Sequence, residues 1–151
     1  MTQTLRNIPF YWTAIAHWLS VLLVMTLLTR RWNWKGTALA GAGALAVLLG
    51  CMYVTEPLHG GAFNLMMGCF ALLTAGAVEL LCRVNRRQLL YYSAQSFILG
   101  AFMASFSWQI YIYAAQKLPA LGWVGAEVLM ILPEMAAIWL LMWLILRRQR
   151  R

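Results

Sequence analysis

Five long apolar runs, separated by short polar or basic segments, make up most of the chain. A helix of about 20 apolar residues spans the roughly 30 Å hydrocarbon core of a bilayer, and each run is long enough to do so. The predicted spans cover residues 10–29, 36–54, 62–82, 89–116 and 123–146. The pattern therefore predicts an all-α, polytopic membrane protein in which residues 1–151 form a single transmembrane domain.

The fourth run is the longest, and it holds no charged side chain. As a helix, its roughly 28 residues would measure about 40 Å, so it must tilt or protrude from the bilayer. Tyr91 and Tyr92 mark one end, and Tyr111 and Tyr113 mark the other. Aromatic side chains with a polar tip favour the membrane–water boundary, so both tyrosine pairs are expected there.

The composition excludes an ordinary soluble domain. Of the 151 residues, 63% are hydrophobic and 11% are charged, and the mean hydropathy is +0.70. Soluble domains carry about 25% charged residues. The net charge of +8 does not indicate a nucleic-acid partner, because the basic residues lie in short clusters between apolar runs. Such clusters are topology signals first and contacts for anionic lipids second.

The basic clusters also predict the orientation of the chain. Segments that carry many Lys and Arg residues stay on the cytoplasmic side of a membrane. Alternate connections are rich in them, whereas the other side holds only Arg6 and Lys117. The N-terminus is therefore expected outside and the C-terminus inside. The residues assigned to the inside are Arg30, Arg31, Lys35, Arg83, Arg86, Arg87, Arg147, Arg148, Arg150 and Arg151.

The three cysteines, Cys51, Cys69 and Cys82, form no close-spaced pair, so neither a disulfide framework nor a zinc site is expected. The two histidines and the carboxylates show no metal-ligand spacing, and the sequence predicts no metal and no cofactor. The only nucleophile with a base nearby in sequence is Cys69, with His59 in the preceding turn. A membrane cysteine peptidase is thus a weak alternative, and the chain is expected not to be an enzyme.

Small residues recur at every fourth position of the second run, which places them on one helix face. Such stripes let helices pack closely in lipid. Packing within the bundle is the favoured interpretation, and a dimer face is the alternative. The residues are Ala38, Ala42, Ala46 and Gly50.

Three glutamates lie in or at the ends of apolar runs. Glu79 precedes Arg83 by four residues, a spacing that predicts an ion pair on one helix. Glu127 and Glu134 are seven residues apart and share a face of the fifth helix. Glu134 lies near the middle of the bilayer, where a carboxyl group faces either a bundle partner or a cavity. Pro133 precedes it and gives the helix a hinge.

Polar side chains of three runs fall at similar depths below the outer surface. His17, Gln109 and Glu127 lie within about one helical turn of each other in depth, at 1.5 Å per residue. They could meet in a pocket that opens outward, with Trp108 as a flat wall. The sequence therefore predicts a ligand-binding site at His17, Trp108, Gln109 and Glu127, and the alternative is a set of mutually satisfied packing residues.

Two stretches resemble a known family. They are NIPFYWTAIAHWL at residues 7–19 and SAQSFILGAFMASFSWQIY at residues 93–111. They are similar to the N-terminal membrane input domains of clostridial sensor histidine kinases that carry a GHKL-type ATPase domain. The fourth-span pattern of that family approximates ARAFxxAEFAASLEWQLY. The positions that fit it are Phe97, Phe102, Ala104, Ser105, Trp108, Gln109 and Tyr111.

The charged positions of the family pattern are replaced in this chain. Gln95 stands for an Arg, Ala101 and Ser107 stand for Glu residues, and His17 stands where the family often has Glu. The chain also ends at Arg151 without the kinase region that the family carries. The resemblance implies a sensory or signalling domain of a two-component system in the bacterial cytoplasmic membrane. It also implies a homodimer or a kinase output domain as partner.

Two function classes follow from the sequence. The first is this non-enzymatic membrane sensory domain, in which the cluster around His17 and Glu127 would bias the tilt of the fifth helix through Pro133 and Glu134. Protonation of His17 is one candidate input. The second class is a small membrane permease that uses Glu134 as its coupling carboxyl group.

Overall fold

The computed structural model describes residues 11–55, 62–117, 124–125 and 127–149. These residues form five α-helices and one short π-helical segment, without any β-strand among them, so the all-α prediction is confirmed. The elements are α1 (Tyr11–Leu27), α2 (Trp34–Thr55), α3 (Ala62–Leu81), α4 (Arg86–Lys117), the π-helical segment (Glu127–Ile131) and α5 (Leu132–Gln149).

Three stretches are long and apolar enough to cross a membrane: 34–54, 86–114 and 127–148. Helix α1 and residues 67–81 of α3 are also apolar but shorter than a full span. A membrane protein with several crossing helices is therefore supported, and the wider expectation of five spans remains a prediction.

Helix α1 lies at the centre of the bundle. It packs against α2, α3, α4 and α5, and it contributes to each of the three groups of buried apolar side chains. Trp12 and Leu23 pack with α4 and α5, Val21 packs with α3, and Ala14 packs with α2 and α3. The bundle is thus organised around the first helix, although the fourth helix is the longest.

Two asparagines set the beginnings of α2 and α4. The side chain of Asn33 accepts a hydrogen bond from the backbone N–H of Gly36 at 2.9 Å. Asn85 accepts one from the N–H of Gln88 at 2.8 Å, while the Gln88 side chain accepts one from the N–H of Asn85 at 3.1 Å. This reciprocal pair is a capping box. Because of these caps, α2 and α4 begin two and three residues before the predicted starts at 36 and 89.

Backbone pairing joins two connections at one end of the bundle. The N–H of Arg31 donates to the carbonyl of Leu81, and the N–H of Arg83 donates to the carbonyl of Thr29, each at 3.0 Å. We call this end the basic end and the other, where Tyr11 meets Glu127, the Glu127 end.

The other helices bring further basic residues to the basic end. Trp139 of α5 donates from its indole nitrogen to the carbonyl of Leu19, at 3.0 Å, so α5 runs parallel to α1. The basic residues that the structure describes at this end are Arg30, Arg31, Lys35, Arg83, Arg86, Arg87, Arg147 and Arg148.

The small-residue stripe of α2 does not pack within the bundle, so the favoured interpretation of it is wrong. All four of its residues are exposed, and the buried face of α2 carries Thr37, Gly41, Leu48 and Met52 instead. The indole nitrogen of Trp18 donates to the carbonyl of Gly41 at 2.8 Å, which fixes this rotation of α2. The exposed stripe consists of Ala38, Ala42, Ala46 and Gly50.

Tyr111 faces the interior of the bundle, in contrast to its predicted partner Tyr113. Its side chain is fully buried, whereas that of Tyr113 is 62% exposed. Tyr111 packs in the core that α1, α4 and α5 share, next to Ile131 of the π-helical segment. Tyr111 is therefore a packing residue of the bundle, and the position of the tyrosine pair at the membrane–water boundary stays a prediction.

The predicted ion pair between Glu79 and Arg83 does not form. Helix α3 ends at Leu81, so the four-residue spacing no longer places the two side chains on one helix face. Arg83 instead joins the backbone pairing with Thr29, and the backbone carbonyl of Glu79 accepts a hydrogen bond from Arg31 at 3.3 Å.

Candidate functional site

Glu127 joins the beginning of the fifth helical region to the beginning of the first. Its Oε2 accepts hydrogen bonds from the hydroxyl of Tyr11 and from the indole nitrogen of Trp12, the latter at 3.3 Å. Trp12 is only 6% exposed. One carboxylate oxygen thus holds two consecutive side chains of α1, and a partly buried carboxylate with two donors is held more firmly than an exposed one.

The helix that carries Glu127 is irregular at this point. Residues Glu127–Ile131 adopt π-helical pairing, and the regular helix α5 starts at Leu132. Pro133 has no N–H, so one carbonyl a turn earlier loses its usual helical donor. A π-helical turn accommodates such a mismatch, and these turns are frequent at functional sites. The predicted hinge position therefore coincides with a real irregularity in the helix.

Glu134 lies just beyond this irregularity and faces α4. Its Oε2 accepts a hydrogen bond from the hydroxyl of Ser107 at 2.6 Å, and Ser107 is fully buried. The other oxygen, Oε1, is buried and has no hydrogen-bond partner among the described residues. Glu134 thus has one bundle partner and one unsatisfied oxygen.

His17 lies in the core and not in an outward-facing pocket. Its side chain is fully buried, with ring centroids 5.0 Å from Phe70 and 5.4 Å from Phe97. It lies against Gly100, where a methyl group would be 2.5 Å from Nδ1. Neither ring nitrogen has a hydrogen-bond partner in the part of the chain that the structure describes. His17 therefore fills the space that Gly100 leaves between α1 and α4.

The serines beside His17 supply the polar contact between α1 and α4. The Ser20 hydroxyl lies 3.0 Å from that of Ser96, and it also contacts the backbone carbonyl of His17 at 2.6 Å. Both serines are fully buried. His17 lies opposite Gly100, and Ser20, further along α1, lies opposite Ser96, which comes earlier in α4. The two helices are therefore antiparallel.

Trp108 and Gln109 lie on the exposed side of α4 and are not joined to Glu127. The Trp108 side chain is 47% exposed, and Gln109 is exposed beside it. The structure therefore does not bring His17, Gln109 and Glu127 into one hydrogen-bonded cluster. It joins Glu127 to Tyr11 and Trp12, and it pairs Glu134 with Ser107, the residue before Trp108 on α4.

Sequence reasoning did not select Tyr11, Trp12 or Ser107 as site residues. The adjacent Tyr11 and Trp12 carry a detectable signal, because two aromatic donors at the start of an apolar run are placed to meet a carboxylate at the same depth. Ser107 carries no such signal, since the same run holds other serines and only the helix rotation distinguishes them.

The cysteine alternative receives no support from the described residues. Cys69 is a free, exposed thiol on α3. His59, its candidate base, lies outside the described residues, and so does Glu56, the remaining glutamate of the chain. No group of three or more His, Cys, Asp or Glu side chains that could hold a metal ion occurs within the described ranges.

Comparison of the chain with protein-family models, curated proteins and solved structures finds no match.

Proposed function

We propose that this protein is a membrane sensory domain in which the contact between Glu127 and α1 sets the position of α5. The observation that carries the proposal is the π-helical segment between Glu127 and Pro133. This irregular turn begins at Glu127, whose carboxylate is hydrogen-bonded to α1, and it leads into the regular helix α5, which runs to the basic end. The resemblance to sensor-kinase input domains favours the same function.

The mechanism needs two arrangements of α5. In the first, Tyr11 and Trp12 hold Glu127 and so hold the first turn of the fifth helical region. In the second, a ligand occupies Glu127, the contact with α1 opens, and the extra residue of the π-helical turn shifts. A ligand changes this equilibrium only by binding one arrangement more tightly than the other. The output is the position of the basic end of α5, where a kinase output domain or a second copy of the chain would respond.

Distance measurements between spin labels test this mechanism. Labels at Leu90→Cys on α4 and Leu144→Cys on α5, in a background without native cysteines, report the separation of the two helices at the basic end. Both positions are exposed, so labels fit without repacking. We expect Glu127→Gln, which replaces the charged acceptor of Tyr11 and Trp12 by a neutral amide, to shift or broaden the distance distribution.

The matched control for that experiment is Glu79→Gln. Glu79 is exposed on α3 at the basic end, and its carboxylate accepts no hydrogen bond from the residues that the structure describes. The mechanism is contradicted if Glu127→Gln and Glu79→Gln give the same distance distribution.

We also propose that all five helices cross the membrane, with the basic end in the cytoplasm. The bias of basic residues toward one end supports this orientation. A thiol at Asn85→Cys, in the connection that carries Arg83, should react with an impermeant maleimide only after the membrane is opened. Labelling of that thiol from the outer surface of intact cells would contradict the orientation.

A small permease is the second candidate, and the unsatisfied oxygen of Glu134 is the observation that favours it. A coupling carboxyl group must bind and release protons or cations. Oε1 of Glu134 accepts no hydrogen bond from the described residues, so it is available to bind one. Flux into proteoliposomes that is lost in Glu134→Gln and kept in Glu79→Gln would favour this class. A gene neighbourhood with a response regulator or a GHKL kinase region would favour the sensory domain.

A further inference from the structure

A groove of about 510 Å³ runs along the outside of the bundle between α4 and α5. Its walls include Ile98 and Phe102 of α4 and Met142 of α5. Ile98 is 67% exposed and Phe102 is 54% exposed, so these side chains are not part of the protein core. The groove is apolar along most of its length, and its contents in a membrane would be hydrocarbon.

One amide interrupts this apolar lining. Gln95 lies in the groove, and its side chain has no hydrogen-bond partner among the described residues. An amide that faces hydrocarbon without a hydrogen-bond partner is unfavourable, because it loses the hydrogen bonds that it makes in water. Gln95 therefore indicates an occupant that presents a hydrogen-bond acceptor at this depth.

The polar groups of α4 are ordered along one helix face. Arg87 and Tyr91 are four residues apart, and Tyr91 and Gln95 are four apart again, so all three share a face. At 1.5 Å per residue, the amide lies about 12 Å below the Arg87 Cα along the helix axis. The order from the basic end is a guanidinium, a phenol, an amide and then an apolar wall formed by Ile98 and Phe102.

We propose that this groove binds one anionic phospholipid. The phosphate would lie against Arg87, the ester carbonyl groups would accept hydrogen bonds from Gln95, and one acyl chain would lie along Ile98, Phe102 and Met142. Basic pockets between membrane helices on the cytoplasmic side bind anionic head groups in this manner. The order of chemical groups along a phospholipid matches the order of side chains along the groove.

Charge selects an anionic lipid over a zwitterionic one. The ends of α4 and α5 that border the groove are exposed and basic, and the described residues of those two ends include no acidic side chain. Arg147 is held in place because its guanidinium lies 4.8 Å from the centroid of the Trp143 ring. The basic residues assigned to the head group are Arg87, Arg147 and Arg148, whereas Arg86 lies with Leu90 on a neighbouring face of α4.

Native mass spectrometry of the purified full chain tests the proposal. The protein is mixed with phosphatidylglycerol or with phosphatidylcholine of the same acyl chains, and lipid retained after mild activation is counted. We expect one tightly retained phosphatidylglycerol and markedly weaker retention of phosphatidylcholine. Ile98→Trp should fill the groove and abolish the selective adduct, and Gln95→Leu should weaken it. Arg87→Gln should lower the affinity about fivefold, the effect of about 1 kcal/mol for one basic side chain at an anionic surface.

Matched substitutions on a neighbouring face of α4 separate the groove from the general surface. Leu90→Trp adds an indole at a position that is 72% exposed and outside the groove, and Arg86→Gln removes a charge from the same face as Leu90. Both should keep the selective adduct, and far-ultraviolet circular dichroism should show unchanged helix content in every variant. The proposal is overturned if the two lipids are retained equally, or if Leu90→Trp and Ile98→Trp lose the lipid adduct to the same extent. It is also overturned if the spectra show a dimer of the chain without bound lipid.

Discussion

The basic end and the Glu127 end of the bundle are held together by different kinds of contact. At the basic end, two backbone hydrogen bonds join the segments around Arg31 and Arg83, and both are 3.0 Å long. At the Glu127 end, the contact between α1 and the fifth helical region depends on side chains that meet a single carboxylate oxygen. Backbone pairing does not depend on side-chain identity, whereas the Glu127 contact is lost when one side chain is changed.

The two contacts also join different elements. The backbone pairing fixes the connection between α1 and α2 to the connection between α3 and α4, and it does not include α5. The fifth helical region is held by Glu127 at one end, by the hydrogen bond between Glu134 and Ser107 of α4, and by Trp139 further along. The comparison therefore predicts a rigid unit of four helices and a fifth helix whose position depends on few side chains.

The largest effect is expected at the centre, where both ends depend on close contact between α1 and α4. In Gly100→Ala, the added methyl group would lie 2.9 Å from the backbone Cα of His17, so the two helices must separate. Overpacking of this kind costs about 1–3 kcal/mol in the free energy of unfolding. Unfolding in detergent followed by circular dichroism measures it.

Gly76→Ala is the control for the central substitution. A methyl group at Gly76 meets no atom within 4 Å, so this variant should be as stable as the natural chain or slightly more stable. Equal stability of Gly100→Ala and Gly76→Ala would show that α1 and α4 are not in close contact at His17.

The next effect is expected at the Glu127 end. Glu127→Leu removes the acceptor of Tyr11 and Trp12, and loss of such part-buried hydrogen bonds to a charged group costs about 1.5 kcal/mol. Amide hydrogen exchange should accelerate in the first turns of α1 and in residues 127–131. Exchange at Arg31 and Arg83 should stay slow, and acceleration there would contradict the separation of the two ends.

A smaller effect is expected where α5 contacts α1 at mid-length. Trp139→Phe keeps most of the ring but removes the donor to the carbonyl of Leu19, which costs about 1 kcal/mol. The spin-label distance between α4 and α5 should broaden as well. Trp108→Phe, at a ring that is 47% exposed, serves as the control and should change neither quantity.

The smallest effect is expected at the basic end. Trp32→Phe removes a hydrogen bond of 3.0 Å to the carbonyl of Leu80, in a side chain that is 49% exposed. The backbone pairing next to it remains, so the free energy of unfolding should fall by no more than about 0.5 kcal/mol. A loss larger than that of Trp139→Phe would reverse the proposed ranking of the two ends.

Much of the fold follows from the sequence because it depends on local properties. Apolar runs longer than a bilayer is thick, interrupted by arginines, predict helices and connections whatever the helices pack against. The predicted runs differ from the helices by only a few residues in the described ranges, and the caps at Asn33 and Asn85 account for the earlier starts of α2 and α4. The irregular turn next to Pro133 could also be predicted from the sequence, because the missing N–H is a property of that one residue.

What the tertiary structure alone decided is the rotation of each helix about its own axis. Helices that are apolar on all sides carry almost no amphipathic signal, so the sequence does not show which face is inside. The rotation of α2 turned its small-residue stripe outward. The rotations of α1 and α4 placed His17 against Gly100 and left Trp108 exposed beside the buried Ser107. It also joined Glu127 to Tyr11, residues 116 positions apart in the chain. Contacts between distant residues fix the rotation, and those contacts exist only after the helices have packed.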